Sequence, residues 1–200
     1  KKMPESSLAE LKTQLVQHYR WLRQYGCNDS HSGNASFRWH NQIWVTPTGC
    51  CADTLTPEML VPCDIDGHCG EGASLDAPLH LATYQHNPNT RAVIHSHGPH
   101  AIAMTMNGKD FKPVDFEGQY YFSTIPVISI DYAEYIEKSP MAVAQGLAGH
   151  KVVIVRGHGR PSFGRVVGST LARVPGGALR CDHGGMTKEL HITGDADADR

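Results

Sequence analysis

Two short apolar runs, each ending in histidine, constrain this chain more than any other feature. Ala92-Val93-Ile94 leads into His95-Ser96-His97, with His100 three residues later, and Lys151–Val155 leads into Gly157-His158-Gly159. Both runs read as strands. Side chains alternate faces along an extended strand, so residues i and i+2 point the same way. His95 and His97 therefore present two imidazole nitrogens to one point in space. Two strands that each end in histidine read as a single metal site at the edge of a sheet.

The rest of the chain supplies helices between strands. Ser6 or Ser7 caps a first helix with Leu8, Leu11, Leu15, Tyr19 and Leu22 on its apolar stripe, ending near Gly26. A Gly- and Asn-rich loop then leads into a hairpin, Ala35–Trp39 and Gln42–Thr46, turned at His40-Asn41. A strand is expected at Leu60–Asp64 and a helix at Asp76–His86, with Pro78 tolerated in its first turn. Strand Arg91–His97 follows, then a helix from about Pro99 to Met106. Phe111–Pro126 is aromatic and gives no clear period; Ile125–Ile130 reads as a strand and Ala133–Leu147 as a helix despite Pro140. Strands alternating with helices argue for a layered α/β domain over residues 1–174. From Pro175 onward the chain is rich in Gly, Arg and Asp, and an irregular tail is expected over 175–200.

Composition removes several classes of function. The formal net charge of −2 leaves no electrostatic footprint for nucleic acid or for an anionic membrane surface. No apolar run approaches the roughly 20 residues of a membrane helix. KKMPESSLAE lacks the apolar core of a signal peptide, so a cytoplasmic location is the expectation. Of the six cysteines, none forms a C-x-x-C pair, and reduced thiols are the default reading. Histidines number 13 against only 19% charged residues, so their placement rather than their count carries the argument.

The cheapest complete ligand set is His95, His97, His158 and Asp76. Neutral imidazoles with one carboxylate most often serve Zn²⁺. Asp76 and His80 stand at i and i+4 on one helix face, which makes His80 an alternative ligand, a partner that orients a ligand, or a proton shuttle. Ser32-Gly33-Asn34, Thr48-Gly49 and Ser74 are small, donor-rich loop residues. They suit either an anion-holding nest or ordinary turns.

The stretches SGNASFR, WVTPTG, LVPCDIDG, ASLDAPLHLATYQHNP, AVIHSHGPHA and VVIVRGHG, in that order, resemble the class II aldolase/adducin family over roughly residues 8–160. That family contains fuculose- and rhamnulose-phosphate aldolases and ribulose-5-phosphate 4-epimerase. The resemblance implies a three-layer α/β/α domain with a mixed, largely antiparallel sheet. It also implies one zinc ion per subunit, held by His95, His97, His158 and Asp76, and a homotetramer with sites between subunits. Ser32, Gly33, Asn34, Thr48, Gly49 and Ser74 fall on the phosphate-binding loops. Asp76 stands where the aldolases carry a glutamate that also acts as acid/base, and the epimerases an aspartate.

Three departures stand out. Leu75 occupies the place of a second phosphate-loop serine. Gln119 falls at the position of the epimerase's catalytic aspartate, and an amide cannot move protons as a carboxylate does. No tyrosine follows Tyr135, whereas family members often supply one from the C-terminal segment; Tyr121 is then the expected phenolic acid. The reading that follows is a zinc-dependent lyase of a small keto-sugar, a ketose phosphate. Decarboxylase, dehydratase, epimerase or non-catalytic adducin-like interaction domain are the alternatives.

Overall fold

The computed structural model describes residues 7–156 and 169–175. The first helix, α1, runs over Leu8–Gln24 and starts where its cap dictates. The Ser7 hydroxyl accepts the Glu10 backbone N–H at 3.3 Å, and the Glu10 carboxylate accepts the Ser7 N–H at 2.7 Å. This reciprocal box satisfies two of the donors that a helix start leaves open. Leu15, Val16 and Tyr19 form its buried stripe.

β1 (Asn34–Trp39) and β2 (Gln42–Val45) form the expected hairpin, with His40 at φ 52° in the turn. Asn, Asp and His enter this region more readily than branched residues. Then come β3 (Val61–Asp64), α2 (Ala77–His86), β4 (Thr90–Ser96), α3 (Pro99–Thr105) and α4 (Phe116–Tyr121). They are followed by β5 (Val127–Ser129), α5 (Tyr135–Gly149), β6 (Val152–Arg156) and β7 (Ser169–Pro175). Pro140 lies inside α5 without ending it.

Among the described residues the strands form a seven-stranded sheet in the order β3-β2-β1-β4-β7-β6-β5. Among these described strands only β5 and β6 run parallel, so the sheet is mixed and largely antiparallel. β7 enters between β4 and β6, a central place that the reading of the sequence left without an element. His158 and the tail over 176–200 lie outside the described residues.

Register decides which side chains share a face. Phe37 pairs with Ala92 and Ala35 with Ile94; these four pack with Leu15, Val16 and Tyr19 of α1. One residue out of step, Ser36 pairs with Val93 and Asn34 with His95. That second face carries Ile43, Val45 and Val93 against Ala77, Leu81 and Tyr84 of α2. Farther along the sheet, Val153 and Val155 of β6 meet Val143 and Leu147 of α5 and Leu79 of α2. Helices thus cover both faces, and each large side chain buried here contributes roughly 1.5–3 kcal/mol.

One cysteine expectation changes. Cys63 and Cys69 are joined by a disulfide, because an isolated antiparallel bridge sets Cys63 of β3 opposite Cys69 beyond the turn. Cys27, Cys50 and Cys51 are free thiols.

Candidate metal and substrate site

The pairing of Asn34 with His95 sets the site at the end of β1 and β4, on the face covered by α2. His95 is 1% exposed and His97 follows one step past the strand. Their Nε2 atoms stand 3.0 Å apart. Asp76 occupies the N-cap position of α2, where an aspartate ordinarily accepts a backbone N–H from the first turn. Here its side chain makes no such bond. Its Oδ2 instead accepts from His95 Nδ1 at 3.0 Å and from Asn34 Nδ2 at 2.7 Å. A stabilising cap has been forgone for a contact with a candidate ligand.

The carboxylate is held well below the ordinary aspartate range. Burial pushes the other way, but the hydrogen bonds from His95 and from the Asn34 amide outweigh it. The hydrogen bond to Asp76 fixes the proton of His95 on Nδ1 and leaves Nε2 as the nitrogen turned toward His97. Two ring nitrogens converging within 3.0 Å, one backed by a carboxylate, suit a divalent transition metal. The two imidazoles present fit part of the ligand set that the resemblance implies, and among the described residues no cluster of three metal-binding groups is assembled. His158, the third histidine of that set, lies outside the described residues.

Around these groups lies a cavity of about 780 Å³, lined by His95, His97 and Asp76 together with Ser32, Gly33, Asn34, Thr48, Gly49 and Ser74. Every residue expected on the phosphate loops thus reaches the same cavity as the candidate ligands. Local hydrogen bonds explain how. Thr46 N–H bonds Ala35 O, Ser74 N–H bonds Thr46 O, and Thr48 N–H bonds Gly72 O, which ties both loops to the end of the sheet. Gly33 has φ +74°, and a Cβ there would lie 2.5 Å from the His95 carbonyl oxygen. No other residue type fits without moving the ligand strand.

His80 is fully buried, and its two ring nitrogens face Asn34 Oδ1 and Ser36 Oγ. It does not line the cavity. Tyr121 is likewise not among the residues that line the cavity of its own chain; it stands on α4 with its ring 5.0 Å from that of Tyr120. The phenols that do line the cavity are Tyr132 and Tyr135. Burial, then the nearby Asp76 charge, pushes the Tyr135 hydroxyl above its ordinary pKa.

Several contributors went unread in the sequence. Asn28 is buried and its Oδ1 accepts the His97 N–H at 3.0 Å, fixing the backbone of a candidate ligand. Asp29 and His31 line the cavity, and the Asp29 carboxylate accepts the His31 and Ser32 N–H groups at 2.9 and 2.8 Å. An Asp two residues before a His in a polar loop is an Asx-turn signal that could have been used. Tyr132 and Tyr135 carry no such signal, since only tertiary folding brings them near residue 76.

Comparison with known proteins follows the same line. The profile described as Class II Aldolase and Adducin N-terminal domain matches residues 13–174. A 5-methylthioribulose-1-phosphate/5-deoxyribulose-1-phosphate aldolase of Escherichia coli O45:K1 (strain S88) is 25% identical over 168 residues, 81% of this chain and 77% of that protein. L-fuculose phosphate aldolase of Escherichia coli (strain K12) is 26% identical, covering 75% of this chain and 71% of its own. The crystal structure of l-fuculose-1-phosphate aldolase from Thermus thermophilus superposes with a TM-score of 0.75 at 28% identity. That match covers 86% of this chain and 83% of that one.

Proposed function

Since the chain belongs to the class II aldolase and adducin N-terminal domain family, we propose that it is a zinc-dependent lyase that cleaves a small ketose phosphate by a retro-aldol reaction. The observation that carries this reading is one cavity shared by His95, His97 and Asp76 and by the donor-rich loops at Ser32–Asn34, Thr48-Gly49 and Ser74. His95 and His97, with His158, would hold a divalent ion through imidazole nitrogens while Asp76 backs His95 from its Nδ1 side, and the ion would supply positive charge where negative charge develops on the substrate. The loop N–H groups and the Thr48 and Ser74 hydroxyls hold the phosphate. Leu75, 81% exposed at the cavity, removes one hydroxyl from that grip.

Asp76 is a weak base while it is hydrogen-bonded to His95. Leaving that bond restores its basicity, so it can take the substrate hydroxyl proton as the carbon–carbon bond breaks. Tyr135, which lines the cavity and keeps its proton across the physiological range, is the residue assigned in this reading to return one to the carbon fragment. Large exposed apolar side chains, Phe116 and Ile136 at 90% each, support assembly into a homo-oligomer, a tetramer by resemblance. No helix among the described residues is long and apolar enough to cross a membrane.

The test is direct. Zinc-loaded protein is given L-fuculose 1-phosphate and 5-deoxyribulose 1-phosphate, and dihydroxyacetone phosphate and the partner aldehyde are measured. Release from either, abolished by chelation and restored by zinc, is the expected result. Neither product from either substrate, with metal bound, would sink the lyase reading and favour another reaction of the family.

A further inference from the structure

Beneath the cavity a line of buried polar side chains runs into the core on the α2 side of the sheet. Tyr84 OH lies 2.8 Å from Ser36 Oγ, which lies 2.6 Å from His80 Nδ1. His80 Nε2 is 2.5 Å from Asn34 Oδ1, and Asn34 Nδ2 is 2.7 Å from Asp76 Oδ2. His95 Nδ1 closes the line from the other side at 3.0 Å. Asn34, Ser36, His80 and His95 are all buried, as is Tyr84. Such groups must be partnered, and a whole file of them calls for a reason beyond packing.

We propose that His80 is a positioning residue that fixes the tautomer of His95 through Asn34 and Asp76, an inference that rests on the metal-site reading above. The direction of every hydrogen bond follows from the one end that can only accept. The Asp76 carboxylate takes N–H groups, so Asn34 turns its amide nitrogen to it and its carbonyl oxygen away. That oxygen accepts, so His80 carries its proton on Nε2. His80 Nδ1 is then an acceptor and the Ser36 hydroxyl donates to it, while Ser36 Oγ accepts from Tyr84. Burial, the dominant influence on His80, lowers its pKa to about 3 and agrees with a neutral ring.

The reverse arrangement fails at a definite place. A proton on His80 Nδ1 would make Nε2 an acceptor, and the Asn34 amide would turn to donate to it. Its carbonyl oxygen would then face the Asp76 carboxylate at 2.7 Å, two acceptors with no proton between them. His80 Nε2–H thus locks the Asn34 orientation that the carboxylate demands, so that Asp76 stays held by an N–H and aimed at His95 Nδ1. With that proton fixed on Nδ1, the His95 nitrogen facing His97 is Nε2 in its acceptor state, the form a metal requires. His80 touches no cavity; it acts at one remove.

The experiment reads histidine tautomers by ¹⁵N NMR on the metal-free protein, and zinc affinity by chelator competition. In the parent, His80 is expected as the Nε2–H form and His95 as Nδ1–H. Folded His80→Leu should lose the fixed His95 tautomer and bind zinc about 10–100-fold more weakly. His80→Gln, whose amide can still donate to Asn34, should stay within about 3-fold of the parent. Ser36→Ala removes a single buried hydroxyl and should blur the His80 tautomer, which keeps the test decisive if His80→Leu does not fold. His80 protonated on Nδ1 in the parent would overturn the proposal. So would a folded His80→Leu with His95 tautomer and zinc affinity unchanged. A parent that binds no zinc would sink the function reading instead, and the tautomers alone would then decide this one.

Discussion

β1 and β4 carry two opposite chemistries on their two faces. Toward α1 they present Ala35, Phe37, Ala92 and Ile94, an apolar wall. Toward α2 the alternate positions are Asn34, Ser36, Val93 and His95, three of them polar and all buried. A period of two separates the jobs by a single residue step: one face holds the sheet together, and the other carries the candidate chemistry. A one-residue register slip would exchange them, so the apolar wall also guards the alignment of the site.

The comparison can be broken from either side. The largest expected effect is on the polar face. His97→Ala should lower lyase turnover by about 10³-fold or more and reduce bound zinc, while the thermal midpoint of the metal-free protein hardly moves. Metal analysis beside calorimetry checks this; full turnover in the variant would remove His97 from the site. On the apolar face, Phe37→Ala should cost about 3–5 kcal/mol in urea unfolding, with KM and turnover of the folded fraction retained. A selective loss of turnover there would mean that the faces are not separable.

The smallest effect sharpens the contrast through pH. His80 has its folded pKa pushed down, by burial above all, to about 3. Above its unfolded value of about 6.5 both states are neutral and stability is greatest. As pH falls below that value the unfolded chain takes up a proton that the folded chain refuses. Stability should therefore drop by about 2 kcal/mol between pH 7 and 5 from this group alone. His18, also pushed down by burial, adds in the same direction. Asp76, with its depressed pKa, adds stability that is fully present above the ordinary carboxylate range and is lost only as the pH falls below it, outside this window. The difference in urea midpoints between pH 7 and 5 should be visibly smaller in His80→Gln; an equal difference would contradict a neutral, buried His80.

Local rules made part of this molecule legible. The Ser7 cap, the hairpin at His40-Asn41 and the shared direction of His95 and His97 depend on neighbours within a few residues, and all three appear as read. The start of α2 one residue after Asp76 is as close as capping signals allow. What stayed hidden depends on distant partners. β7 follows a Gly- and Arg-rich stretch, and its place between β4 and β6 comes from strand pairing that a single sequence does not display. The role of His80 was undecided among three possibilities because its partners, Asn34 and Ser36, lie more than forty residues away. Tyr121 looked suitable by residue type, but α4 does not bring it to its own chain's cavity, whereas α5 brings Tyr135.

The two faces meet at one atom. The Tyr19 hydroxyl, on the apolar side, lies 3.0 Å from the carbonyl oxygens of both Ser32 and Gly33. A helix that never touches the cavity thus anchors the loop forming its rim. For anyone grafting this site onto another scaffold, copying the histidines and the serine-rich loops would be insufficient. The transplant must include a rigid phenol reaching over from the opposite layer, because that tether, with the Asn28 bond to the His97 N–H, sets the loop's height above the ligand strand.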